Sequence, residues 1–170
     1  KINLKKIYNL SKTVLVVAGS DPSGGAGIQA DLKTLTSFGV YGMTAITALT
    51  EQNSNGVFDI LEIPIEFVLK QINCCLSDIN ANVVKIGMLH SAELISAVLE
   101  ALNNHDIVRN KNVNIILDPV MVAKGGHKLL KENAIDALKN FIKVAQPILT
   151  PNIPEAEILT GIKINNLKDM

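Results

Sequence analysis

A doubly wound α/β sandwich, with a mostly parallel sheet and helices on both faces, is the fold class this sequence predicts. Three observations lead there. Short β-rich runs alternate with helical ones along nearly the whole chain. The strand runs are apolar with little alternation, as parallel strands covered on both faces require. Each strand run ends in polar or turn-forming residues, so polar loops gather along one sheet edge, where such sheets bind ligands.

The first strand is expected at 13–18 and leads through Gly19, Ser20 and Asp21 into a helix over 27–38. The second, at 43–50, runs into Glu51, Gln52 and Asn53, and residues 55–63 suit an extra strand or a short flap. A helix over 64–79 follows, with Pro64 fitting the first helical position, where its missing N–H costs nothing. The third strand, 83–86, ends at Gly87 and Met88, and Ser91 is placed to cap a helix over 91–103. The fourth, 113–117, ends at Asp118 and Pro119, before a helix over 129–144. The fifth, 148–150, ends at Pro151 and Asn152, where a last helix starts that Gly161 closes. The sequence has no internal repeat, low-complexity tract or linker, so it reads as one domain behind a tail at 1–12.

With 48% apolar residues, 4% aromatic ones and no Trp, the core must be built from Ile, Leu, Val and Ala. Sixteen basic residues balance sixteen acidic ones, so no charge excess draws the chain to nucleic acid or to a membrane surface. No apolar run reaches the ~18 residues of a membrane helix, and the basic start KINLKKIYNLSK has no long apolar stretch behind it. Cys74 and Cys75 are adjacent, lack CxxC spacing and read as small core residues of a cytosolic protein. His90, His105 and His127 share no metal-ligand spacing.

The stretch VVAGSDPSGGAGIQADL (Val16 to Leu32) is the first candidate site. Its GAGIQA matches the dinucleotide fingerprint G-x-G-x-x-A, and Glu51 stands about 20 residues on, where a ribose-binding acid belongs. The spacing argues against that reading, because GSDPS and a further glycine separate the strand from the fingerprint. No Gly-Lys-Ser/Thr follows, which excludes a P-loop. Asp31 is more informative. At about 100° per residue it falls between Leu35 and Phe38, inside the helix's apolar sector. A carboxylate facing a sheet needs a partner. Geometry leaves two readings even: a structural hydrogen bond to a neighbouring loop, or an acceptor facing a ligand beside the glycine turn.

The blocks AGSDPSGGAGIQADLKT, ITALTEQNSNGV, KIGML, LDPVMVAKGG and LTPNIPEAEIL, in that order, resemble the hydroxymethylpyrimidine/phosphomethylpyrimidine kinases. These form the thiamine-biosynthesis branch of the ribokinase-like superfamily, close to one group of pyridoxal kinases. The likeness runs from Thr13 to about Gly161. It implies a ribokinase-like fold and ATP-dependent phosphorylation of 4-amino-5-hydroxymethyl-2-methylpyrimidine and then of its monophosphate. It implies that Gly19 and Asp31 line the pyrimidine pocket, that Gln52 reads the ring's nitrogen edge, and that Met88 and Val120 pack on its faces; an amide and a carboxylate match an aminopyrimidine's donors and acceptors. On the ATP side it points to Asp118 and Glu155 as carboxylates for Mg²⁺, with Asn152 and Glu155 forming the family's N-x-x-E pattern. The same Asn and Glu also make a capping box, and the pair is able to serve both roles. Lys124 is placed either to reach a phosphate or to sit solvated in its loop.

The chain departs from the family in one large respect. Members carry a later glycine-rich G-T-G-C or G-x-G-D block and the base that deprotonates the acceptor hydroxyl, and neither occurs before Met170. KGGHKLL follows the fourth strand and is not that block. Residues 13–170 are accordingly expected to be the N-terminal part of a single ribokinase-like kinase domain, incomplete at the C-terminus, and no catalytic base is named. A chain of this extent alone is expected to show little kinase activity. The resemblance further implies a cytoplasmic protein, and dimers are common in the family. The competing readings are a pyridoxal or pyridoxine kinase and an inactive fragment that only binds the pyrimidine.

Overall fold

The structure is a computed structural model that describes residues 12–121, 130 and 133–169. In chain order the elements are β1 (Thr13–Ala18), α1 (Gly27–Ser37), β2 (Tyr41–Ile46), β3 (Ala48–Asn53), β4 (Gly56–Glu62), α2 (Ile65–Asp78), β5 (Val83–Ile86), α3 (Ala92–Asn104), β6 (Asn114–Leu117), α4 (Ala134–Ala145), β7 (Ile148–Leu149) and α5 (Ile153–Thr160). A 3₁₀ turn at Leu167–Asp169 ends the described chain. The main sheet has the order β2-β1-β5-β6-β7, and every pairing in it is parallel. β1 is buried along its full length. Its Leu15 and Val17 join the larger core with Ile72 of α2, Leu94 and Leu102 of α3 and Phe141 of α4. Val14, Val16 and Ala18 point the other way and pack with Ile28, against which Leu35 of α1 also lies. Helices thus cover both faces, α1 on one and α2, α3 and α4 on the other, as a doubly wound sandwich requires.

The run read as one strand at 43–50 is two. Thr47 breaks it: its hydroxyl donates to the Met88 carbonyl at 2.8 Å, its N–H to Ala18 O at 3.0 Å, and its carbonyl accepts from Ile63 N at 3.1 Å. The chain therefore leaves the sheet after Ile46, and β3 pairs antiparallel with β4 in a separate hairpin, with a bulge between Glu51 and Gln52. Gln52 consequently sits on a flap over the sheet edge and not at the end of a sheet strand. The segment 55–63 supplies the flap's second strand, one of its two expected forms.

Caps explain the helix ends. The Ser91 hydroxyl accepts from Leu94 N at 3.2 Å, and Gly161 closes α5 in the left-handed region at φ 74°. Pro64 is the cap of α2 and not its first residue. Cys74 corrects a sequence expectation: it is exposed, because α2 turns Val68, Ile72 and Leu76 inward and Cys74 lies off that stripe. Cys75 is half-buried against the core. No helix among the described residues is long and apolar enough to cross a membrane.

Candidate active site

The turn after β1 is organised by one carboxylate. Asp21, 3% exposed, accepts from Ser23 N (2.9 Å), Ser23 Oγ (2.7 Å), Gly25 N (3.1 Å) and Ala26 N (2.8 Å). Burial pushes its carboxyl up, but the hydrogen bonds from Ser23, Ala26 and Gly25 outweigh that and hold it below the ordinary value of 3.8. Gln29 locks the turn from the helix side, accepting from Asp21 N at 2.9 Å and donating to Ser20 Oγ at 2.8 Å. Gly27 is obligatory: at φ 56° a Cβ there would strike the Gly19 carbonyl, which accepts from Ile28 N at 3.0 Å. The amides that a phosphate-binding glycine loop would offer are spent on Asp21. This is the physical reason the fingerprint at Gly25 is not a dinucleotide site.

Beyond this turn lies a cavity of about 230 Å³ at the carboxyl edge of the sheet. Gly19, Gln52, Met88, Asp118 and Val120 all line it, as do Thr50 and Lys85. Gly19 forms part of its floor: a Cβ there would lie 3.1 Å from Met88 Sδ. The Thr50 hydroxyl donates to Ser20 O at 2.8 Å, tying the flap to the first turn, and stands 3.2 Å from Gln52 Oε1.

Asp31 faces the sheet, as its place on the helix requires, but does not line the cavity. Its partner is not a neighbouring loop. Asp31 Oδ2 accepts from Lys85 Nζ at 2.8 Å, and the two side chains are 23% and 22% exposed. Lys85 was not singled out in the sequence, although a lysine inside the apolar strand VVKI (Val83–Ile86) is a legible signal. Asp21, Gln29 and Thr50 were likewise missed, since polar loop residues carry no periodic signal.

On the far side, Asp118 follows β6 and Glu155 opens α5. Asn152 Oδ1 accepts from Glu155 N at 2.9 Å, and Glu155 Oε2 accepts from Asn152 N at 2.9 Å. The capping box is therefore formed, and Glu155 is 6% exposed. Burial pushes the Asp118 carboxyl above its ordinary value; the Lys85 ammonium draws it back, and the Glu155 and Asp31 carboxylates push it further up. A carboxylate raised by burial and by acidic neighbours suits a cation. No group of three or more His, Cys, Asp or Glu among the described residues could hold a metal ion. Mg²⁺, which keeps several waters and takes one or two carboxylates, needs no such cluster. Lys124 lies outside the described residues.

Residues 21–170 match the family model described as phosphomethylpyrimidine kinase. A hydroxymethylpyrimidine/phosphomethylpyrimidine kinase of Haemophilus influenzae is 48% identical over 153 residues, covering 90% of this chain and 55% of that protein. A solved phosphomethylpyrimidine kinase from Clostridium difficile superposes with TM-score 0.83 at 46% identity, over 94% of this chain and 67% of the other. A pyridoxal kinase from Staphylococcus aureus, solved with AMP-PCP, superposes with TM-score 0.77 at 33% identity, over 94% of this chain and 56% of the other. The chain spans about half the length of the curated kinases it matches.

Proposed function

Because the chain belongs to the phosphomethylpyrimidine kinase family, we propose that it serves ATP-dependent phosphorylation of 4-amino-5-hydroxymethyl-2-methylpyrimidine and of its monophosphate, in thiamine diphosphate synthesis. One observation carries the reading: Gly19, Gln52, Met88 and Val120 line one cavity together with Asp118, although they come from four separate stretches of chain. The floor at Gly19 lets a flat ring approach the backbone. The Gln52 amide offers a donor and an acceptor to the ring's nitrogen edge, and the flap that bears it covers the site. Met88 and Val120 supply the apolar faces.

Asp118 and Glu155 would hold hydrated Mg²⁺ with ATP. Bound there, the ion would neutralise charge on the phosphoryl group being transferred. Glu155 Oε2 is committed to the cap, so the two roles of this residue are shared between its two oxygens. Asp31 acts on the pocket through Lys85, from behind the cavity wall. The catalytic base is not assigned to a residue of this chain. A cytoplasmic location and a homodimer belong to the same proposal.

A pyridoxal kinase is the second reading, favoured by the likeness to the Staphylococcus aureus enzyme. The test is phosphate transfer from Mg-ATP with the natural protein, the aminopyrimidine alcohol and pyridoxal competing. We expect the pyrimidine to be preferred, and clear preference for pyridoxal would overturn the assignment. The 170-residue chain by itself is expected to bind the pyrimidine and turn it over poorly.

A further inference from the structure

Lys85 is the one cation among the described residues that line the cavity. Its position is costly. It stands inside a parallel strand, opposite Val16 on β1 and Ile116 on β6, where an ammonium persists only with partners. Ion pairs so placed are seldom retained for stability alone, since apolar side chains of similar size often serve as well. Nζ passes so close to Gly87 that a Cβ there would lie 3.2 Å from it. Asp31 holds Nζ from outside the cavity lining, so the pair turns its positive end to the ligand space.

Backbone donors of the neighbouring turn are already engaged. The amides of Ser23, Gly25 and Ala26 are taken by Asp21. Asp118 and Glu155 carry the wrong sign. A phosphate monoester brings a charge of about −1.5 to −2, and without Lys85 it would meet only acidic side chains among the charged described residues that line the cavity. Resting on the kinase reading above, we infer that Lys85, held by Asp31, is the cationic contact for the phosphate of the monophosphate acceptor. It is thus the residue that lets one cavity take the phosphorylated ring as well as the alcohol.

Calorimetric titration of the aminopyrimidine alcohol and of its phosphate monoester tests this, with the wild-type chain, Lys85→Met and Lys85→Arg. Lys85→Met is expected to weaken the monoester about 10- to 100-fold more than the alcohol, and Lys85→Arg to recover most of that difference. Parallel losses for the two ligands would overturn the inference, because Lys85 would then support the pocket without meeting the phosphate. If Lys85→Met melts below the assay temperature, Lys85→Gln keeps a donor toward Asp31 without the charge, and the same comparison decides. Failure of the wild-type chain to bind either ligand would overturn the kinase reading itself, whereas parallel losses in the variants leave that reading standing.

Discussion

Two aspartates stand on the same sheet edge, Asp21 after β1 and Asp118 after β6, and the fold treats them in opposite ways. Asp21 is buried under four hydrogen bonds from its own turn and is held below its ordinary value. Asp118 is half-buried, and its burial together with the Glu155 and Asp31 carboxylates raises it despite the pull of Lys85. The difference lies in the donors. The first carboxylate is consumed in shaping a turn. The second keeps a charge that the unliganded protein disfavours, the condition in which a cation or a substrate supplies the missing interaction. The flanks differ likewise: β1 is buried throughout, whereas β7 is a two-residue strand with Ile148 57% exposed.

Removing Asp21 should break the contrast most severely. Asp21→Ala leaves the amides of Gly25 and Ala26 without their acceptor and is expected to cost about 3 kcal/mol, read by urea unfolding. The pH dependence follows from the sign of the shift. A carboxyl depressed in the folded state contributes stability that is complete above its unfolded value of 3.8 and is lost as pH falls through the folded value. The difference between wild type and Asp21→Ala should therefore be flat at neutral pH and shrink on acidification below about 3.8. A variant as stable as wild type would mean that Gln29 and the glycine backbone hold the turn without the carboxylate.

The contrast also marks what the sequence discloses. Apolar strands and their helices were legible because burial on two faces leaves a pattern; the expectations at 13–18 and 83–86 coincide with β1 and β5. The inward place of Asp31 was legible from helical periodicity. Its partner was not, since Lys85 is 54 residues away and only the β1–β5 pairing brings it near α1. The break at Thr47 was hidden too, because ITALT reads as one β-rich run and the break depends on contacts with Ala18, Ile63 and Met88. Asp21 looked like an ordinary turn residue, and its four donors appear only once the turn is closed.

Asp31→Asn sharpens the comparison, since it weakens the pair that holds Lys85 at the cavity while leaving Asp21 intact. The side chains of the pair are about a fifth exposed, so solvent screens part of the loss. We expect affinity for the phosphate monoester to fall about 10-fold and the melting temperature by ~2–4 °C. Unchanged affinity with a lower melting point would make the pair purely structural.

Asp118→Asn should act with the opposite sign to Asp21→Ala. A carboxyl raised in the folded state lends stability below its unfolded value of 3.8, and that contribution is lost as pH rises through the folded value. At neutral pH the unliganded protein carries the penalty, and the amide removes it. The variant is expected to gain under about 1 kcal/mol near pH 7, to gain nothing near pH 3, and to lose Mg-dependent turnover in the natural protein. A loss of stability at pH 7 would show that the Lys85 attraction outweighs the burial of Asp118.

Glu155→Gln is expected to have the smallest effect on stability, and it separates the two duties of the residue. Glu155 Oε2 accepts from Asn152 N, while the reverse bond uses the Glu155 backbone N–H, which substitution does not touch. A glutamine oxygen still accepts from Asn152 N, so the box survives and only its charge-assisted part is lost, about 0.5 kcal/mol. Turnover reads the other duty: an amide coordinates hydrated Mg²⁺ more weakly than a carboxylate, so the natural protein should need several-fold more Mg²⁺ for half-maximal rate. The two measurements move independently. An unaltered Mg²⁺ requirement with a lowered melting point would confine Glu155 to the helix cap and leave Asp118 as the acidic residue that meets the ion.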